Sequence, residues 1–267
     1  MNADFSAIAA RYEHVSLIQK SAAEKLFGLL DINGAEDVLD LGCGTGNLTR
    51  KIRGMTGGRV VGVDPSEGMI LEASANLAGE DISNMVMGAE ELAFDSAFDV
   101  IFCNSAFQWF QQPLKALQNC RTALRKGGRI GIQAPARKDC CSNFISAIDA
   151  VAHDARTREI YAGFRAPWFF LETPDDYREI FTEAGFEVPF ARIEEMETNH
   201  SAGEVMTIFE SGATAGYLNQ EFYETRIDAE YCDNFRQIVK DAFAGQVGNS
   251  GRVTLLFNRI YLVAVKA

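Results

Sequence analysis

The 267 residues carry 37 Asp and Glu against 25 Lys and Arg, a formal charge of −12, which repels polyanions and disfavours both a nucleic-acid substrate and an anionic membrane surface. With 47% apolar residues the chain can bury a substantial core, yet no run approaches the roughly 18 to 20 apolar residues of a membrane helix. Met1-Asn2-Ala3-Asp4 lacks the basic and apolar regions of an export signal, so the expectation is a cytoplasmic protein with one domain over residues 1–267.

Along the first 30 residues Phe5, Ile8, Tyr12, Val15, Ala22, Leu26 and Leu29 recur at helical spacing and stop before Asp31-Ile32-Asn33-Gly34. This predicts a helical lead-in over 1–34. Gln19 falls on the same stripe, where an inward-facing amide needs a partner. Apolar runs at 37–41, 60–64, 84–87, 98–104 and 129–133 then alternate with helical stretches, which implies right-handed crossovers and a parallel sheet. The clearest helix, 113–126, opens on Pro113 and is stopped by Gly127-Gly128. Past Gln133 the rhythm changes. Residues of about 137–185 read as helical and aromatic-rich, 186–196 as a strand, 200–248 as helical again and 252–266 as a last strand. The predicted fold is α/β and Rossmann-like: a mostly parallel seven-stranded sheet with helices on both faces. The late insertions, about 137–185 and 200–248, form a helical cap over its carboxyl edge.

Six cysteines and three histidines show no metal-ligand spacing, so free thiols and no metal are expected. Cys140-Cys141 reads as two small apolar residues in a helix, the alternative being a redox pair.

The chemistry concentrates at Asp40-Leu41-Gly42-Cys43-Gly44-Thr45-Gly46, which follows the first strand, and at Asp64, which ends the second. Alternate glycines let the chain turn tightly and approach a ligand closely. A carboxylate at the end of the next strand can accept both hydroxyls of a ribose. A dinucleotide fingerprint needs its third glycine where Asn47 stands, so no pyrophosphate is implied. The spacing points instead to S-adenosylmethionine. Asp40, Gly42, Gly44, Gly46 and Asp64 are candidate cofactor residues. Ala89 and Glu90, after the third strand, could meet an adenine edge, or form an ordinary surface turn. Asn104 is a further candidate cofactor residue, and the segment from it to Trp109 leaves the fourth strand where the reacting methyl would lie.

Asp40 to Gly46, Asp64, the Phe98-Asp99-Val100-Ile101 strand and Gln108-Trp109 together resemble the class I S-adenosylmethionine-dependent methyltransferases. The resemblance extends to the group of trans-aconitate methyltransferases and malonyl-carrier-protein methyltransferases. Phe5 to Glu13, Leu17-Ile18-Gln19 and Gly212-Ala213-Thr214 are similar to the second kind, and Gly251 to Ala264 to both. The resemblance implies O-methylation of a carboxylate on a small polyacid or on a malonyl thioester held by acyl-carrier protein. It implies that Gln19 and Trp109 hold that carboxylate and that Tyr12 closes over the cofactor. Gln108, Arg137 and Arg165 are further candidates for substrate contact, the arginines as partners for a second carboxylate. A C- or O-methyltransferase of a neutral metabolite or lipid precursor and a noncatalytic binder of the cofactor are the alternatives.

Overall fold

The computed structural model describes residues 17–267, with side chains from residue 22 onward. Helix α1 (Leu17–Leu30) precedes β1 (Val38–Leu41), α2 (Asn47–Arg53), β2 (Val60–Asp64), α3 (Glu67–Asn76) and β3 (Ser83–Val86). Next come β4 (Phe98–Asn104), α4 (Pro113–Ala123) and β5 (Leu124–Pro135). Among the described residues one seven-stranded sheet runs in the order β3-β2-β1-β4-β5-β7-β6, where β6 is Glu187–His200 and β7 is Val253–Val265. Strands β1 to β5 are parallel, and β7 runs antiparallel to both β5 and β6.

The central strands are apolar on both faces because helices cover both. On one face Val61, Val63, Ile101, Ile130 and Ile132 pack with Leu117 and Cys120 of α4 and with Tyr177 and Phe181 of α7 (Pro174–Glu183). On the other, Val38, Val60, Val100 and Phe102 meet Ala23, Leu26, Phe27 and Leu30 of α1. Phe27 stacks on Phe102 with ring centroids 4.5 Å apart. A Cβ at Gly131 would lie 2.7 Å from the Leu30 side chain, so a bare stretch of β5 seats this helix.

Helix α4 ends at Ala123 rather than 126, and β5 starts at Leu124 rather than 129. Phe98 pairs with Leu124, and the register then shifts so that Val100 pairs with Arg129. Gly127, at φ +77°, sits in that bulge and donates to the Lys266 carbonyl at 2.7 Å. The two glycines serve a bulge rather than a helix stop, since both need a residue free of Cβ.

Strands β6 and β7 outrun the rest. Pro135 pairs with Arg259, and beyond it Val253 to Asn258 pair only with Glu195 to His200 in the sheet. Six residues at about 3.3 Å each carry this ribbon some 20 Å past the carboxyl edge. Against it pack α5 (Ser142–His153), α8 (Ala202–Glu210) and α10 (Ala229–Gly245). Ala147, Val151, Phe209, Phe235 and Phe243 cover Val253, Leu255 and Phe257 in a second core. The predicted helical stretch 137–185 contains α5, the short α6 (Arg158–Tyr161) and α7, but it also holds an extended segment. There the amide of Phe169 donates to the Gln108 carbonyl at 2.8 Å, and that of Arg137 donates to the Leu171 carbonyl at 3.0 Å.

Candidate functional site

The carboxyl ends of β1, β2 and β4 open on a cleft lined by Leu41, Gly42, Gly44, Asp64, Pro65, Met69, Met87 to Glu90, Asn104 to Ala106, Trp109 and Phe110. Gly42 (φ +77°) takes the chain out of β1 so close to the β4 loop that a Cβ would stand 2.4 Å from that of Ala106. Gly44 (φ +53°) has open space where its Cβ would be, so its backbone presents a bare concave surface to the cleft. Gly46 (φ +85°) closes the turn against Leu77 and starts α2.

Asp64 is buried, and both carboxylate oxygens are engaged: Oδ2 accepts from the Gly44 amide at 3.0 Å and Oδ1 from the Ser66 amide at 2.9 Å. These bonds fix the carboxylate at the cleft wall. Each oxygen keeps acceptor capacity for a further hydroxyl. Burial raises its pKa to about 6 against the pull of those two amides. Asp40 is more deeply enclosed, does not line the cleft, and accepts from Thr49 Oγ1 at 2.7 Å. Burial, with the nearby charge of Asp64 adding to it, pushes its pKa to about 7 although the Thr49 bond opposes the shift. The first aspartate therefore ties α2 to the end of β1, while the second lines the cleft.

Ala89 and Glu90 form a single 3-10 turn, and Glu90 Oε1 accepts from the amides of Gln111 and Gln112 at 2.8 and 3.2 Å. On the opposite wall Ser105 holds φ +59°, a left-handed conformation that serine adopts at a cost. Its amide donates to the Gln133 carbonyl at 2.7 Å and its own carbonyl accepts from Gln108 Nε2 at 2.8 Å. Gln108 is thus buried beneath the loop rather than in the lining. Trp109 does line the cleft, and its ring lies 5.6 Å from that of Trp168 in the extended segment.

The two arginines singled out in the sequence lie elsewhere. Arg137 reaches Asn258 Oδ1 at 3.2 Å and the Glu172 carbonyl at 3.4 Å, and Arg165 is exposed and paired with Glu224. Gln19 lies within α1, but its side chain, like all of Tyr12, falls outside the described residues.

Two polar residues that the sequence reading passed over stand beside the β4 loop. Gln133 is fully buried. With its amide nitrogen turned to Asn104 Oδ1 (2.8 Å) and Ser105 Oγ (3.0 Å), its oxygen accepts from Arg259 Nη1 at 2.8 Å. Arg259 is itself buried in the middle of β7. A cation inside a largely apolar strand was the available signal, because an unpaired buried charge is expensive.

An enclosed carboxylate at the end of β2, a glycine cradle and apolar walls fit a nucleoside joined to a methionine-like chain. The comparisons agree. Residues 38–128 match the family model described as a methyltransferase domain. The malonyl-[acyl-carrier protein] O-methyltransferase of Hahella chejuensis is 34% identical over 128 residues, 47% of this chain and 46% of the relative. The trans-aconitate 2-methyltransferase of Shigella flexneri serotype 5b is 24% identical over 262 residues, covering 95% of both chains. That of Rhodopseudomonas palustris is 27% identical over 259 residues, 91% of this chain and 93% of the relative. In overall fold the chain is similar to the YcgJ protein of Bacillus subtilis, with a TM-score of 0.62 and 16% identity over 92% of this chain and 98% of that one. It is also similar to phosphoethanolamine N-methyltransferase 2 of Haemonchus contortus solved with S-adenosyl-L-methionine, with a TM-score of 0.56 and 18% identity over 92% of this chain and 52% of the other.

The methyltransferase domain over residues 38–128, together with curated relatives named as malonyl-carrier-protein and trans-aconitate methyltransferases, supports reading the chain as a class I S-adenosylmethionine-dependent methyltransferase. Its curated relatives are named for methylating malonyl-carrier protein and trans-aconitate. The match spans about half the length of the first kind and nearly all of the second.

Proposed function

We propose that this protein methylates a carboxylate oxygen of a small polycarboxylic acid. What supports the reading is the nearly end-to-end match to relatives named trans-aconitate 2-methyltransferase, beside a cleft whose described lining is mostly apolar. Its two carboxylates, Asp64 and Glu90, are held by backbone amides. An alcohol or phenol acceptor needs a base to take its proton. A carboxylate, with an ordinary pKa of about 4, is already the nucleophile at neutral pH. S-adenosylmethionine, when bound, supplies an electrophilic methyl group. The protein then has only to position and desolvate.

In this reading Asp64 holds the ribose, Gly42 and Gly44 let the backbone approach the methionine portion, and Leu41, Met69, Met87 and Phe110 keep water from the reacting atoms. Trp109 and Gln19 would donate to the acceptor carboxylate, and Tyr12 would cover the cofactor. A free polyacid is favoured over a carrier-bound malonyl group because the trans-aconitate relatives align through the cap, whereas the malonyl relatives match about half of the chain. The test is incubation with methyl-labelled S-adenosylmethionine and separate di- and tricarboxylic acids, malonyl-carrier protein and neutral alcohols. Label recovered as a base-labile ester of a free acid is the expected result. Label on an alcohol, or on the malonyl thioester alone, would overturn it.

A further inference from the structure

We propose that Arg259 is the anion-binding residue of the acceptor site, and that it selects acids bearing a second carboxylate beside the one that is methylated. The proposal rests on the reading of carboxyl methylation and gives it a specificity determinant.

Arg259 is 5% exposed. Its Nη1 meets the Gln133 oxygen at 2.8 Å and its Cζ lies 5.1 Å from the Phe257 ring, while its Nε has no hydrogen-bond partner. Among the described residues no carboxylate pairs with it. The nearest in register is Glu194, directly across the β6–β7 ladder and therefore on the same face. That carboxylate is turned to Lys25 and Arg192 instead. Burial holds the Arg259 pKa below the usual guanidinium value. A buried cation without a counter-ion is a standing cost to the fold, and an anionic ligand would remove it.

Position tells which ligand. Arg259 pairs with Pro135, the last residue of β5, so it stands level with the carboxyl edge of the sheet, at the root of the ribbon that carries the cap. One amide, that of Gln133, separates its guanidinium from Asn104 and Ser105, which line the cleft. Arg259 itself stands behind Gln133, outside the cleft lining, and the proposed polyacid, with one carboxylate at the β4 loop, brings its next carboxyl group to the guanidinium. The planar guanidinium matches a carboxylate through two parallel hydrogen bonds. Arg137 and Arg165, by contrast, are engaged with Asn258 and Glu224.

The experiment uses the full chain saturated with S-adenosylhomocysteine, with citrate as a tricarboxylate probe and acetate as a monocarboxylate control at equal ionic strength. Citrate should raise the melting temperature by several degrees and bind by calorimetry, and acetate should do neither. Arg259→Met, which keeps the volume and removes the charge, should lose the citrate response while retaining affinity for S-adenosylhomocysteine within about twofold. Arg259→Lys should bind citrate at least tenfold more weakly than the parent, and it carries the test if the methionine variant does not fold. A parental citrate response in either folded variant, or no response in the parent, overturns the proposal. The methyl-transfer assay separates this inference from the reading beneath it. Polyacid esters formed by Arg259→Met at the parental kcat/KM refute the role of Arg259 alone. Citrate bound through Arg259, with no acid of any kind esterified, supports the anion site and refutes carboxyl methylation.

Discussion

Replacing Asp40 with asparagine separates a structural carboxylate from a ligand-binding one. Asp40 is enclosed, receives one hydrogen bond from Thr49, and has its pKa pushed from 3.8 to about 7 by burial. The shift of roughly 3 units, at about 1.4 kcal/mol each, amounts to something on the order of 4 kcal/mol. Its sign follows from proton binding. Between pH 4 and 7 the folded state keeps the Asp40 proton while the unfolded state loses it, so stability falls as pH rises through this window and levels off above 7. Asparagine does not titrate. It retains an oxygen for Thr49 but puts an amide group where the second oxygen was, at a pH-independent cost of about 1 to 3 kcal/mol if unpaired. Urea unfolding of both proteins at pH 5 and pH 8 should therefore show the variant gaining about 2 to 3 kcal/mol on the parent between the two conditions. S-adenosylmethionine affinity should stay within a few-fold. An unchanged stability difference at the two pH values would refute the buried-carboxylate argument, and a large loss of cofactor affinity would return Asp40 to the binding surface.

Asp64→Ala should weaken S-adenosylmethionine binding by about 2 to 4 kcal/mol by calorimetry, since two charge-assisted bonds are lost. Because the Asp64 pKa lies at about 6, cofactor affinity of the parent should fall as pH drops below that value, and a flat profile from pH 8 to 5 would count against its role. Gly42→Ala places a methyl group 2.4 Å from the Ala106 Cβ at φ +77° and should destabilise the fold by about 1 to 3 kcal/mol in denaturant titration. Gln19→Ala and Trp109→Phe should each lower kcat/KM for the acid identified by labelling by roughly ten- to a hundredfold, with cofactor affinity nearly unchanged. Parental rates in both would move the carboxylate clamp to other residues.

The glycine-loop wall of the cleft was legible in the sequence because its constraints are local. A glycine loop between two buried runs, with an aspartate ending the second, allows few other backbones, and Gly42, Gly44 and Asp64 line one cleft. The proposed acceptor side depends on contacts between residues far apart in the chain. Arg137 and Arg165 were singled out by neighbourhood along the chain, whereas the register of β5 with β7 brings Gln133 to Tyr261 and Pro135 to Arg259. No periodicity in residues 252–266 reports that alignment. The start of β5 was hidden for a related reason: a bulge lets Leu124 and Arg129 belong to one strand although glycines interrupt them. Asp40 and Asp64 look equivalent as letters, and only the fold gives one to Thr49 and the other to the cleft.

The projecting β6–β7 ribbon decides how the cap is held. Its ladder runs without a register break from Phe190 opposite Val263 to His200 opposite Val253, joining the sheet and the cap core as a single beam. Swinging the cap as a whole would mean tearing that beam. The segment around Trp168 is attached differently, through backbone bonds from Phe169 to Gln108 and from Arg137 to Leu171, and it lies against Trp109 at the rim. The cap is therefore tied to the sheet along the whole ribbon, and the rim of the cleft is built where the segment around Trp168 meets the β4 loop.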